Sequence, residues 1–339
     1  MMILRPRPPV KARVANLPQV EMSYIEAIGL SLREEIRRDS RVLLLGEMGL
    51  DNGAIGVARS LLAEFGEERV RNLSLSECAV ANYAIRVALE GMRPVVEFQF
   101  SDFMPIVVDQ IISRGTRLGF TFGAGIEVPV VFRTLLEAAT ELSAQHVQCL
   151  EAWLMYIPGF NIVLPSTPAD AKGLLGSAIL DSGPTIFLEH KMLYQHKGLV
   201  PVGEWQVPLG KAQVKREGND LTIIALSVMV ERSLAAAQQL AEEGIEAEVI
   251  DPRTLRPLDE ATLIASIGKT RRVLIVHETA QIGGFGGEIA ARIAASKAFS
   301  SLEVPILQLG AVEMFMPYFA SRSIPQEEDI YRAAHILLR

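Results

Sequence analysis

What most constrains this chain is an alternation. Short apolar runs rich in Val, Ile and Leu are separated by stretches whose apolar residues recur at helical spacing, from about residue 23 to the C-terminus. The runs at 41–45, 70–73, 95–98, 128–132, 161–164 and 185–188 are short and mostly apolar, with many β-branched residues. That is the pattern of parallel strands covered on both faces. Helices are predicted at 23–38, 57–65, 77–90, 102–118, 145–156 and 168–181. The first has its own start signal, a capping-box pair Ser23 and Glu26, followed by Ile25, Ile28, Leu32 and Ile36 on one face. Strands alternating with helices predict an α/β domain.

The rhythm breaks at 196–210, where Gly198, Pro201, Gly203, Pro208 and Gly210 interrupt any period. It then resumes with strands at 221–226, 246–250, 273–276 and 305–309 and helices at 230–243, 259–267, 288–298 and 326–338. The expected division is an N-terminal arm (1–21), a first α/β domain (22–195), a linker (196–210) and a second α/β domain (211–339). In the arm, Arg5, Arg7, Lys11 and Arg13 alternate with Pro6, Pro8, Pro9 and Pro18, which excludes a sustained helix. It reads equally as a disordered tail or as an extended arm lying on a partner. No apolar segment of signal-peptide length follows it.

With 339 residues there is material for two cores, and a net charge of -7 makes nucleic acid and anionic membrane poor partners. The apolar runs are too short to cross a bilayer. Two cysteines, Cys78 and Cys149, lack zinc-site spacing and suit a reducing cytoplasm.

Gly283-Gly284-Phe285-Gly286-Gly287 invites a dinucleotide reading, but it fails G-x-G-x-x-G from either starting glycine and lies outside a first βαβ unit. A tight strand-to-helix turn accounts for it. P-loop and G-x-S-x-G patterns are absent. Taken singly, Glu77 is explained by the helix dipole, His146 by an ordinary structural hydrogen bond and Phe103 by the core.

Several short motifs occur in one order: Leu44-Leu45-Gly46-Glu47, Ser76-Glu77, Arg93-Pro94-Val95-Val96-Glu97-Phe98, Asp109-Gln110-Ile111 and Ala144-Gln145-His146 with Gln148. Asp170-Ala171-Lys172-Gly173, Leu188-Glu189 with Leu193-Tyr194, and Asp251-Pro252-Arg253-Thr254-Leu255-Arg256-Pro257-Leu258-Asp259 complete the series. In this order they resemble the β-subunits of the first component of thiamine-diphosphate-dependent 2-oxo acid dehydrogenases, over nearly the whole chain. Glu189-His190-Lys191-Met192-Leu193-Tyr194 and Val131-Phe132-Arg133-Thr134 are most similar to the acetoin dehydrogenase branch.

The resemblance implies a transketolase-like fold, a pyrimidine-binding α/β domain followed by a transketolase C-terminal α/β domain. It implies two α and two β chains, a β–β contact, a lipoyl acyltransferase core as further partner, and thiamine diphosphate shared between α and β. Magnesium and diphosphate would be held by the α-subunit's Gly-Asp-Gly motif, which this chain lacks. By the same resemblance Glu77 faces N1′ of the pyrimidine as an acid. Leu75, Gln99 and Phe103 wall the ring, Glu47 lines it, and His146 lies near the reacting carbon. Backbone carbonyls of Val130, Ala178, Ile179, Asp181 and Gly183 occupy the positions of a structural potassium site. A capped helix end explains those five equally well.

Departures from the family pattern fall at 78–86, 133–142, 49–56 and 313–318, and they leave the substrate open between acetoin and several 2-oxo acids. Two other readings stand beside the leading one: thiamine-dependent two-carbon or acyl transfer without lipoamide, and a non-catalytic β-like assembly subunit.

Overall fold

The computed structural model describes residues 17–46, 57–73, 76–117, 126–136, 149–312 and 324–339. Among these, the first domain is built on a seven-stranded sheet and the second on a five-stranded one, each covered by helices.

Helix α1 (Tyr24–Arg38) starts where the capping box predicts it: the Ser23 side chain accepts from Glu26 N–H and the Glu26 carboxylate accepts from Ser23 N–H. Strand β1 (Gln19–Ser23) precedes it, so the end of the expected arm is ordered. Strands β2 (Val42–Gly46), β3 (Val70–Asn72), β4 (Arg93–Glu97), β5 (Val131–Leu136), β6 (Asn161–Val163) and β7 (Thr185–His190) form the parallel part of the first sheet. Between them lie α2 (Ala58–Phe65), α3 (Glu77–Leu89), α4 (Met104–Gln110), α5 (Glu151–Met155) and α6 (Pro168–Leu180). The helix expected over 102–118 is instead a 3-10 turn (Ser101–Phe103), α4 and a π-helical turn (Ile111–Thr116). Pro105 lies in the first turn of α4, where its missing N–H costs no helical bond. Of the helix expected over 145–156, residues 145–148 lie outside the described residues.

The expected linker is not irregular throughout. Strand β8 (Lys197–Pro201) pairs antiparallel with β1 as a two-stranded ribbon, with Val20 opposite Val200. A ribbon of this kind has little apolar period of its own, because it borrows its partner from the other end of the domain.

The second domain contains β9 (Gln213–Arg216), β10 (Leu221–Ala225), β11 (Ala247–Asp251), β12 (Thr254–Arg256), β13 (Val273–Ala280) and β14 (Leu307–Ala311). Its helices are α7 (Met229–Glu242), α8 (Glu260–Thr270), α9 (Phe285–Ala294) and α10 (Glu327–Leu337). Its sheet runs β14-β13-β10-β11-β9, parallel except for the edge strand β9. Strand β12 leaves this domain and joins the first sheet, antiparallel to β6, giving the order β12-β6-β7-β5-β4-β2-β3.

The two domains are therefore stitched, not merely linked. Asp170 at the start of α6 pairs with Lys215 at 2.5 Å and Arg253 at 2.8 Å. Burial raises the Asp170 carboxyl, but the two cations outweigh it and hold the group below the usual range. Buried Lys172 donates to the carbonyls of Pro201 at 2.6 Å and Gly203 at 2.8 Å, and pairs with Glu34 at 2.9 Å. Arg256 donates to the carbonyls of Met155 and Ile157. The motifs around Asp170 and Asp251–Asp259 are thus the fastening between the domains.

Candidate active site

Strands β4, β2 and β3 are consecutive, parallel neighbours, so the segments leaving their C-terminal ends emerge side by side. Ligand sites of open parallel sheets lie at that edge. Glu77 follows β3, and Gln99 and Phe103 follow β4. Glu47, which follows β2, lies outside the described residues, as do Leu75 and His146.

Glu77 is the half-buried first residue of α3, and its N-cap Ser76 makes no side-chain capping bond. Among the described residues no ion pair or hydrogen bond engages the Glu77 carboxylate. The adjacent Cys78 Sγ donates to the Ile106 carbonyl at 2.9 Å, which ties the first turn of α3 to α4. Phe103, immediately before α4, lies edge-on to Phe100 with ring centroids 5.7 Å apart. Phe103 and Gln99 are both half-buried. The fold thus brings an acid, an aromatic ring and an amide to one edge. The large residues of α3 have partners of their own: Tyr83 accepts from Arg71 at 2.8 Å, and Asn82 bonds Gln110 at 3.3 Å.

At Gly46, ahead of that edge, an added Cβ would lie 2.6 Å from the Glu97 carbonyl. The glycine lets β2 close on β4. Below the edge lies a buried ion cluster. Arg133 bonds Glu189 at 2.6 Å and 3.1 Å and Glu97 at 3.1 Å, and Tyr194 donates to Glu189 at 2.9 Å. Two carboxylates against one guanidinium leave one excess charge. Burial pushes the less engaged acid, Glu97, up to about 7 despite Arg133.

A second buried cluster straddles the domains. His190, at the end of β7, faces Glu278 of β13 with its Nε2 2.9 Å and 3.0 Å from the two carboxylate oxygens. His190 Nδ1 accepts from the Met192 N–H, so Nε2 carries the proton and donates. The Cys149 thiol is pushed up by burial and by the negative charge of Glu278. Glu151, buried at the start of α5, is raised to about 7 by burial and then by the charge of Glu278. Its Oε2 has no hydrogen-bond partner among the described residues.

The glycine run has a packing role. An added Cβ on Gly286 would lie 2.4 Å from His277 Nε2, and one on Gly284 would lie 2.3 Å from the Ala280 carbonyl. Small residues let the start of α9 close over β13, so the helix begins at Phe285 rather than at the expected 288. A cleft of about 420 Å³ beside this turn is lined by Tyr156, Arg256, Gln281 and Arg292 and does not include Glu77, Gln99 or Phe103.

The five carbonyl positions assigned to potassium flank the end of α6 and the start of β5. Arg93 Nη1 donates to Ile179 O at 2.8 Å and Asp181 O at 2.9 Å, and Val130 O accepts from Thr185 N–H. A cation bound there would share these carbonyls with a guanidinium.

The motif order points to Glu77 and the resemblance it carries points to Phe103 as expected site residues. Neither points to Glu278, Thr279 or Glu151. Their signal is weak: a His-Glu pair at the end of an apolar strand, and one acid near a helix start.

Residues 20–197 match the family described as the transketolase pyrimidine binding domain, and residues 210–330 match the transketolase C-terminal domain. The 2-oxoisovalerate dehydrogenase subunit beta of Bacillus subtilis (strain 168) is 42% identical over 300 residues, 88% of this chain and 91% of that protein. The acetoin:2,6-dichlorophenolindophenol oxidoreductase subunit beta of the same organism is 40% identical, over 91% of this chain and 95% of its own. A pyruvate dehydrogenase E1 component subunit beta of Staphylococcus epidermidis is 38% identical, over 94% and 99%. A solved structure described as a split-gene transketolase, an inactive beta4 tetramer, superposes with a TM-score of 0.77 at 21% identity, covering 94% of this chain and 98% of that one.

Proposed function

The chain belongs to the family of transketolase-like β-subunits of thiamine-dependent dehydrogenase first components, and on that premise we propose that it supplies the pyrimidine half of a thiamine diphosphate site completed by an α-subunit. The complex would cleave a 2-oxo acid or acetoin and pass the acyl or aldehyde unit to lipoamide on an acyltransferase core. The assembly would contain two α and two β chains. Magnesium and diphosphate belong to the α-subunit in this reading, since no Gly-Asp-Gly occurs here. A structural potassium on the carbonyls of Val130, Ala178, Ile179, Asp181 and Gly183, beside Arg93, completes the inorganic set. Two free thiols and a net charge of -7 suit the cytoplasm, and no described helix is long and apolar enough to cross a membrane.

One observation carries the reading: Glu77, a carboxyl with no partner among the described residues, stands at the start of α3 beside the α4 edge that presents Phe103. Bound thiamine would supply the nucleophilic carbon and the electron sink of the reaction. Glu77 would hold a proton at the pyrimidine N1′. Phe103 and Gln99 would orient the ring and exclude water. Glu47 and Leu75 would line the same wall, and His146 would move protons near the reacting carbon.

The test is Glu77→Gln in the complex assembled with the α-subunit. An amide keeps the shape and cannot share its proton as an acid does. The expected result is near-complete loss of C2 hydrogen–deuterium exchange of bound thiamine diphosphate with the thermal midpoint nearly unchanged. Near wild-type exchange, with a midpoint lowered by a helix-dipole contribution of about 0.3–1 kcal/mol, would refute the assignment.

A further inference from the structure

One acid beneath the proposed edge is not needed for charge balance. Arg133 Nε and Nη2 donate to the two carboxylate oxygens of Glu189 at 2.6 Å and 3.1 Å, a two-point pair that matches the guanidinium charge. Tyr194 adds a third bond to Glu189 at 2.9 Å. Glu97 is surplus to that pair, yet it is only 5% exposed and takes its own bond from Arg133 Nη1 at 3.1 Å. Burying an extra carboxyl costs desolvation, and packing alone would be served by an apolar side chain.

Its place in the sheet accounts for it. Glu97 is the last residue of β4, shortly before Gln99 and Phe103. In register it stands between Gly46, the last residue of β2, and Arg133 of β5. The next residue, Phe98, donates its N–H to the Arg133 carbonyl at 2.9 Å. On the other side Gly46 packs so closely that an added Cβ would lie 2.6 Å from the Glu97 carbonyl and 3.1 Å from the Glu97 Cβ. The Gly46 carbonyl in turn accepts from the Leu73 N–H at 2.9 Å, at the exit of β3. One row thus joins the exits of β3, β2 and β4, which lead in sequence to Glu77, Glu47 and the Gln99–Phe103 segment.

We infer that Glu97 is a positioning residue for the proposed site: by reaching Arg133 it fixes the last row of β4 between β2 and β5, and so sets where the wall carrying Gln99 and Phe103 stands relative to the exits that lead to Glu47 and Glu77. The inference rests on the reading of that edge as the pyrimidine wall. Reach and direction carry the role, because a hydrogen bond fixes a strand end along one axis where apolar packing fixes only volume.

The groups that face Glu97 are Arg133 from β5, Glu189 from β7 and Tyr194 from the turn after β7, with Tyr24 of α1 stacked behind Tyr194. Burial raises the Glu97 carboxyl, Arg133 lowers it and Glu189 raises it again, to about 7. That folded value lies above the ordinary 4.5, so the tie is tightest with Glu97 protonated and weakens as pH rises through about 7. Glutamine copies the protonated acid at every pH. Aspartate keeps the charge and falls one methylene short of Arg133.

The experiment compares Glu97→Gln and Glu97→Asp with wild type by amide hydrogen exchange of the full chain, a readout that needs no thiamine. Peptides covering 73–78 and 98–104 report the edge; peptides covering 221–225 and 247–251 report the second domain. Glu97→Asp should raise edge exchange about tenfold, the least that one hydrogen bond to a charged group contributes, and leave the second domain unchanged. Corrected for chemical exchange, the wild-type edge should lose protection from pH 6 to pH 8, and the Glu97→Gln edge should not. In the complex with the α-subunit, Glu97→Asp should lower kcat by roughly 10- to 100-fold, as a displaced wall does, with thiamine diphosphate affinity nearly unchanged. Glu97→Gln, which keeps the reach, should retain kcat. Unchanged edge exchange in Glu97→Asp would overturn the tie. Exchange raised equally in both domains would make Glu97 merely structural and overturn it too. Losses in Glu97→Gln with Glu97→Asp like wild type would show that charge and not reach is used, and would also overturn it. Looser edge peptides with kcat unaltered would overturn the link to the site. If Glu97→Asp does not fold, equal pH slopes in wild type and Glu97→Gln would overturn the tie, and a slope in wild type alone would support it. Failure of the thiamine reading itself would register separately, as Glu77→Gln without effect on C2 exchange.

Discussion

Two buried clusters each hold a carboxyl that titrates near neutrality, and they reach that state by different routes. In the first, Glu97, Arg133 and Glu189 come from the adjacent parallel strands β4, β5 and β7. Glu97 is the register partner of Arg133, and Glu189 lies two residues beyond the partner of Arg133 on β7. Sheet register alone brings the three together. In the second, His190 meets Glu278 at 2.9 Å only because two domains dock, and burial together with the same Glu278 charge raises Glu151. The first cluster has a guanidinium at its centre; the second has a histidine Nε2 that donates to its carboxylate. A cluster built by register can afford a full ion pair, because its geometry forms with the sheet. A cluster built by docking relies on groups that stay tolerable if the joint opens.

The largest effect should separate them. Arg133→Met leaves Glu97 and Glu189 buried against each other, and loss of one member of a buried pair costs about 3–5 kcal/mol. His190→Asn should cost far less. Denaturant midpoints of the two variants measure this, and equal losses would erase the distinction.

The pH dependence comes next. The folded pKa of Glu97, about 7, lies above its ordinary value of 4.5, so between these limits the folded chain holds more protons than the unfolded one. Stability from this group is fully present below about pH 4.5 and is lost as pH rises through 7. The shift amounts to about 3 kcal/mol at most. Glu151 acts in the same direction over the same window. The thermal midpoint should fall from pH 5 to pH 8, and Glu97→Gln should flatten that fall without abolishing it. A full loss of slope would mean that the interdomain cluster contributes nothing.

The smallest effect sharpens the first cluster. Tyr194→Phe removes one hydrogen bond to the Glu189 carboxylate while keeping the ring stacked on Tyr24, whose centroid is 6.0 Å away. A bond to a charged group contributes about 1.5 kcal/mol. A change of midpoint within error would show that Arg133 alone satisfies Glu189.

Much of the site was legible as order and little of it as contact. Glu77 opens α3 as its place after a short strand predicts, because strand-to-helix turns are local, whereas Phe103 ends a 3-10 turn ahead of α4 rather than lying in a continuous helix. Glu278 and His190 are 88 residues apart and belong to different domains. No period or capping pattern links them, so only docking could reveal the pair.

The same division holds for the fold. The sequence by itself determined the βα alternation, the start of α1 at its Ser23–Glu26 box and the glycine turn ahead of α9, since each depends on residues within a turn or two of one another. Tertiary structure alone decided that β12 would cross into the first sheet, that β8 would pair with β1 and that Asp170 would be shared by Lys215 and Arg253. Those short, polar segments carry almost no apolar pattern. Their backbone groups find partners only after the two cores have formed, when an unpaired edge would otherwise be buried without hydrogen bonds.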